Sequence, residues 1–219
     1  MNQIQDYLKQ DHKAISRNED IASVQDFFEE MNYSHFPVTD QENYVGNLNA
    51  EDALSFDVSK SVADYQYVLE SFFANTTMSW FEVLEIATKN QANVVPVLNE
   101  QNAYVGYYEL DDILLFFQDT PLIKDPGPIL VVQKGIQDYS LGQIAQIVES
   151  NNGKLLGAFV SATVDSKIEI TLKLALGPLN EIIQTFRRYN YEIVSHHQDD
   201  QYMTNLKERS DYLDKYLNL

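Results

Sequence analysis

Residues 36–52 read F-P-V-T-D-Q-E-N-Y-V-G-N-L-N-A-E-D, and residues 95–112 read V-P-V-L-N-E-Q-N-A-Y-V-G-Y-Y-E-L-D-D. Pro37-Val38 aligns with Pro96-Val97, and after one inserted residue Tyr44-Val45-Gly46 aligns with Tyr104-Val105-Gly106. Asp52 then falls on Asp112. Each copy reads as strand, polar turn, strand and acidic helix start, with Asp40 to Asn43 and Asn99 to Asn102 supplying the turns. Moving outward, an offset of 59 residues lays Ile21 on Trp80, Val24 on Val83 and Phe27 on Ile86. The repeated unit is therefore a whole β-α-β-β-α element, present twice. Two copies imply an internal pseudo-dimer rather than a solenoid.

The first copy begins with a brief strand within residues 14–17. Asn18 or Asp20 then caps a helix whose apolar stripe is Ile21, Val24, Phe27, Phe28 and Met31. A short helix, Ala50 to Phe56, closes it. Residues 57–70 read as a connector, and Thr76, Thr77 or Ser79 caps the matching helix of the second copy. Ahead of both copies, residues 1–13 form an amphipathic entry segment with Ile4, Tyr7 and Leu8 at helical spacing.

Residues 120–128, T-P-L-I-K-D-P-G-P, hold three prolines and a glycine, so neither helix nor central strand is expected in this linker. Beyond it the pattern changes. A strand at 129–133 precedes a helix at 140–151 with Leu141, Ile144, Ala145 and Val148 on one face. Strands at 155–162 and 167–174 follow, the second alternating as I-E-I-T-L-K-L. A helix at 179–189 and a strand at 191–195 complete the order β-α-β-β-α-β, the ferredoxin-like split. Residues 201–219 read as a final helix that packs across a dimer.

Composition excludes several function classes. The 219 residues carry a formal charge of -18, and residues 1–120 hold 21 acidic against 5 basic side chains. Such a surface repels phosphate backbones, so nucleic-acid binding is not expected. With no cysteine there are no disulfides, thiol nucleophiles or thiolate metal sites. No apolar run approaches a membrane span, and the first residues lack a secretory layout, so a cytoplasmic protein is expected. No G-x-S-x-G, P-loop, G-x-G-x-x-G or H-E-x-x-H is present, so no enzyme is expected.

The two copies resemble a pair of CBS motifs, which associate into a Bateman module. S-H-F-P-V-T-D at 34–40 and N-V-V-P-V-L-N at 93–99 are similar to that family's core strand. The module after the linker resembles an ACT-type regulatory domain, and the layout is similar to that of acetoin-utilisation accessory proteins. The fold class implied is α+β, a tandem CBS motif pair followed by a ferredoxin-like ACT-type domain. Its bounds are an N-terminal segment at 1–13, the pair at 14–119 (motifs at 14–56 and 72–119), a linker at 120–127, the ACT-like domain at 128–197 and a C-terminal helix at 198–219.

What the resemblance implies is regulation without catalysis, through an adenine nucleotide or adenosine held in the cleft between motifs. Its implied lining in the first copy is Ser16, His35, Phe36, Pro37, Asn49 and Asp52. In the second copy it is Thr76, Thr77, Val94, Val95, Pro96, Glu109 and Asp112. Nucleotide-binding members of the family use a hydroxyl near a helix N-terminus to hold phosphate and an aspartate to hold ribose. Both aspartates, Asp52 and Asp112, are kept here, although helix capping also accounts for their positions. The hydroxyl is replaced by Asn49, which still donates, and by Glu109, which does not. A carboxylate about 5 Å from a phosphate charge opposes it by roughly 3 kcal/mol at an effective dielectric near 20.

Other residues carry less. The glycine expected at the first strand-to-helix turn of an ACT domain is displaced to Gly135, which leaves dimerisation as that domain's expected role. Arg187-Arg188 reads as a solvated face. His196-His197 with Asp199 and Asp200 suggests a metal, but adjacent strand residues face opposite ways, so no metal site is expected. A homodimer and a regulated protein partner are expected. The competing readings are a ligand-free dimerisation scaffold and, third, metal-dependent hydrolysis around His196-His197.

Overall fold

The computed structural model describes residues 4–195. The chain divides after Phe117 into two compact units. In the first, β1 (Ile15–Ser16), α1 (Ile21–Met31), β2 (His35–Asp40), β3 (Asn43–Asn49) and α2 (Ala50–Ser55) form one motif. The elements β4 (Ala74–Asn75), α3 (Trp80–Lys89), β5 (Val94–Leu98), β6 (Tyr104–Glu109) and α4 (Leu110–Gln118) repeat it.

The repeat holds in detail. Both sheets place a parallel edge strand beside an antiparallel hairpin, in the orders β1-β2-β3 and β4-β5-β6. Pro37 pairs with Asn47 and Pro96 with Tyr107, and each ladder shifts register just after the matching valine, Val38 or Val97. After the first helix of each motif the chain turns through a left-handed residue, Asn32 at φ 52° and Gln91 at φ 52°.

The helices start where local chemistry supplies donors and acceptors. Asp20 accepts from the Ser23 amide at 2.9 Å, and Ser79 with Glu82 forms a reciprocal capping box. The cap of α2 is Asn49, whose Oδ1 accepts from the Glu51 amide at 2.8 Å. Capping by Asp52 and Asp112 is thus corrected, since both sit inside the first turn, where the positive helix end stabilises their charge.

Two cores fill the unit, and each recruits the segment that precedes the other motif. Ile21, Val24, Phe28, Phe36, Val38 and Leu48 form the first, with Tyr65, Val68 and Leu69 of the connector packed against it. That connector contains a 310 helix, Val62–Val68, which its sequence did not signal. Ala74, Val83, Val95, Val97 and Tyr108 form the second, together with Ile4, Tyr7 and Leu8 from the N-terminal segment. The entry segment is a single 310 turn, Ile4–Tyr7, built into the second motif.

The second unit opens with α5 (Pro121–Lys124), a single turn with Pro121 at its first position. The expectation of no helix there is corrected: proline lacks an amide that the first turn does not use. Then follow β7 (Ile129–Gly135), α6 (Leu141–Ser150), β8 (Leu155–Val164), β9 (Lys167–Leu174), α7 (Leu179–Arg188) and β10 (Glu192–Ile193). The sheet order β10-β7-β9-β8, antiparallel throughout, is ferredoxin-like. Ile168, Ile170, Leu172 and Leu174 send alternate side chains into a core closed by Ile144, Ile147, Val148, Ile182, Ile183 and Phe186. The buried face of α6 is therefore Ile144, Ile147 and Val148, while Leu141 is exposed. The proposed C-terminal helix and the His196-His197 cluster lie outside the described residues.

Candidate functional site

Ser34 and Asn93 are separated by the 59-residue offset of the repeat, and they touch each other. The Ser34 amide and hydroxyl both donate to Asn93 Oδ1, at 2.8 and 2.9 Å, and the Asn93 amide donates to Ser34 Oγ at 2.9 Å. Their carbonyls accept from matching helix starts, Ser34 from Ala50 and Asn93 from Leu110, each at 2.9 Å. A second pair of equivalent positions, Asn43 and Ala103, also meets as an antiparallel bridge. Contacts between equivalent residues lie on a symmetry axis, so the motifs are related by an approximate twofold. That axis generates two related clefts, one on either side.

Cleft one has a volume of about 460 Å³ and is lined by His35, Asn49, Glu51, Glu70, Lys89 and Asn90, among others. Phe72, Phe73, Met78 and Ile86 line an adjoining pocket, also of about 460 Å³, which shares Lys89 and Asn90 with it. The pair forms a groove with a polar end and an apolar end. His35, only 4% exposed, sits at the junction, its ring edge-on to Phe72 at 5.4 Å.

Hydrogen bonding fixes the His35 tautomer. Ser34 Oγ gives its only proton to Asn93, so at 3.0 Å it accepts from His35 Nδ1. Asn49 Oδ1 is engaged by the Glu51 amide, so Asn49 Nδ2 donates to His35 Nε2 at 3.1 Å. Nε2 is thereby an acceptor, with Glu70 Oε1, another acceptor, 3.4 Å away. The Asn49 bond uses the single lone pair of Nε2.

Cleft two has a volume of only about 140 Å³, between Met31, Asn32, Tyr33, Asn93, Glu109 and Asp111. Two substitutions relative to cleft one close it. Tyr33 stands where cleft one has Ala92, and its hydroxyl donates to Glu109 at 2.7 Å while its ring stacks on Phe36 at 5.3 Å. Burial and the nearby Glu109 raise the Tyr33 phenol above its ordinary pKa.

Lys9, in the segment before the first motif, supplies the other change. Its ammonium lies 2.9 Å from Glu109 and 3.0 Å from Asp112. Burial pulls the Lys9 pKa down, but hydrogen bonds to Glu109 and Asp112 outweigh it and raise the pKa above its usual 10.5. The Lys9 backbone also pairs both ways with Tyr107, at 2.9 and 3.0 Å. In cleft one the corresponding two-way pairing joins Glu70 to Asn47, at 2.9 and 2.7 Å. Equivalent segments thus deliver opposite charges, Lys9 to cleft two and Glu70 to cleft one.

Of the residues expected to line the cleft, the structure brings His35 and Asn49 together in cleft one. Phe36, Pro37, Val94, Val95 and Pro96 are buried, their side chains committed to the protein interior. Glu109 belongs to cleft two, and Asp112 is held by Lys9. Ser16 caps its own turn, accepting from the Asn18 amide at 3.2 Å. Asp52 and Thr77 are exposed and outside the cleft linings, and the Thr76 carbonyl accepts from Gln5 at 2.9 Å. Sequence reasoning missed Glu70, Lys89 and Lys9. The first and last lie in segments preceding the motifs, 61 residues apart, so the 59-residue offset of the repeat does not align them.

Residues 4–59 match the family model described as CBS domain. Comparison with curated proteins gives no match. Solved structures similar to this chain include a CBS domain pair/ACT domain protein from Thermotoga maritima, at 20% identity, TM-score 0.48, covering 53% of this chain and 96% of that one. The CBS domains of a transcriptional regulator from Streptococcus pneumoniae are similar at 17% identity, TM-score 0.46, covering 52% and 98%. CBSX2, solved in complex with AMP, is similar at 13% identity, TM-score 0.45, covering 52% and 94%. Among the described residues no helix is long and apolar enough to cross a membrane, and no group of three metal-ligating side chains converges. CBS modules are characteristically regulatory and non-catalytic. With its register-for-register repeat, the first unit has the fold of tandem CBS-like βαββα repeats, followed by a βαββαβ ferredoxin-like segment consistent with an ACT-type domain.

Proposed function

We propose that this chain is a regulatory ligand sensor with one working site per chain, cleft one, which takes a nucleoside-sized molecule. The observation that supports this most is the inequality of the clefts, about 460 against 140 Å³, with Lys9 and Tyr33 filling the smaller. The groove suits a ligand with a flat apolar head against Phe72, Met78 and Ile86 and a hydrogen-bonding tail at Asn49 and Glu70. Because cleft one is built from both motifs, a ligand stabilises one relation of the halves over another. That bias passes to a protein partner through the ACT-like segment, in a homodimer, as suits an accessory protein of the kind the acetoin-utilisation layout resembles.

Thermal-shift measurements with AMP, ATP, adenosine, S-adenosylmethionine and amino acids test this. A ligand at 100 times its Kd stabilises by about 2.7 kcal/mol and raises the Tm by several degrees. A flat response to every compound favours the ligand-free scaffold instead.

A further inference from the structure

We propose that residues 201–219 fold back as a helix onto the open face of the chain's own ferredoxin-like sheet, along an apolar band that crosses its four strands. The proposal concerns the second unit alone and stands whether or not cleft one takes a ligand.

The band follows from strand register. Leu130, Val132, Ile170 and Leu172 point into the core, so Val131 and Thr171 between them point the other way. Phe159 pairs with Thr171, and the Val194 amide donates to the Val131 carbonyl at 2.9 Å. Val194, Val131, Thr171 and Phe159 therefore lie side by side across the sheet, on the face opposite its helices. Ile129 widens the band by one row. Ile129 is 54% exposed, Phe159 52% and Val194 42%. On the other side of the band the face turns polar, with Gln133 bonded to Glu169 at 3.2 Å and Lys167 to Glu192 at 2.7 Å. At one corner the chain already packs on this face: Leu122 of α5 lies over Gly157, where a methyl would meet its Cδ1 at 2.6 Å.

Where the chain goes next identifies the occupant. The Ser195 hydroxyl accepts from the Val131 amide at 2.9 Å, so residue 196 sets out from the end of the band. After residues 196–200 comes a segment with Met203, Leu206, Leu213 and Leu217 at helical spacing. A helix over 201–219 would be about 28 Å long, enough to cross four strands that span roughly 15 Å. Such a helix is marginal alone and gains its stability from an apolar surface. So short a tether holds the segment at an effective concentration on the order of millimolar, which favours the chain's own copy over a neighbour's.

The chain has no cysteine, so single introduced thiols report cover without background. In the full chain, Phe159→Cys should react with a maleimide about tenfold more slowly than in the same protein carrying Leu206→Asp and Leu213→Asp, which keep the segment but remove its apolar stripe. Val164→Cys, on the same strand beyond the band, should react equally in both backgrounds. Dilution should leave the protection of Phe159→Cys unchanged, and the Tm of each variant checks folding. Equal reactivity of Phe159→Cys in both backgrounds overturns the proposal. Protection that is lost on dilution also overturns it, because a second copy's segment would then cover the band.

Discussion

Ser34 and Asn93 are the same position in two copies of one motif, and each satisfies the other's backbone amide with its side chain. Removing one partner leaves a donor or acceptor without its mate in a partly buried site, at a cost of roughly 1–2 kcal/mol. Ser34→Ala and Asn93→Ala should each lower the Tm, and the double variant should cost less than their sum. A double-mutant cycle by denaturant titration measures that coupling; strict additivity contradicts the reciprocal contact.

Lys9 neutralises two carboxylates that the second motif cannot neutralise itself. Lys9→Met should leave Glu109 and Asp112 facing each other and destabilise the chain by roughly 1–2 kcal/mol, the partial exposure of the site limiting the cost. Lys9→Arg should recover most of the loss. Chemical denaturation of the three proteins at low salt checks this, and a Lys9→Met protein as stable as wild type contradicts it.

Gly106 carries the backbone at φ 147°, and a methyl placed there meets the Lys9 carbonyl oxygen at 2.4 Å. The obstacle is backbone, which does not swing aside. Gly106→Ala should therefore cost roughly 2–4 kcal/mol through strain and a lost pairing of the N-terminal segment. Gly142 meets only the Ser140 hydroxyl at 3.6 Å, so Gly142→Ala should be neutral or better. Thermal unfolding of the two variants side by side is the test.

Asp11 accepts a hydrogen bond from the Tyr107 hydroxyl at 2.6 Å, which is the main cause of its lowered pKa. A depressed folded-state pKa means stability that is present above the unfolded value, 3.8, and is lost as pH falls through the folded one. Asp11 is exposed, so the contribution is about 1 kcal/mol or less. Asp11→Asn should lower the Tm at neutral pH, with a gap from wild type that narrows at acid pH as the carboxylate is protonated. An equal gap at both pH values contradicts the linkage.

The duplication was legible because Pro-Val and Tyr-Val-Gly sit at positions where the backbone admits few alternatives. Pro37 and Pro96 are buried on central strands, and Gly46 and Gly106 pass close to Leu69 and Lys9. The alternation Ile168, Ile170, Leu172, Leu174 likewise exposed the ferredoxin-like sheet. Less was legible at the site. His35 and Asn49 were found on the repeated strand ends, but Glu70 and Lys9 reach their clefts through segments that cross to the opposite motif. Local pattern cannot show an exchange of that kind. Nor does pattern distinguish Tyr33 from Ala92 as plug and opening, since each merely follows a left-handed turn residue, Asn32 or Gln91. The turn at Pro121 was misread because proline forbids a helix interior and not a helix start.

The most direct measurement is residue-by-residue NMR of the 15N-labelled chain during titration with adenosine. Saturable amide shifts are expected at His35, Asn49, Glu70, Lys89 and Asn90, with Tyr33, Glu109 and Asp111 unmoved. Shifts centred on Tyr33 and Glu109 instead, or equal shifts on both sides of the twofold, would contradict a single working cleft.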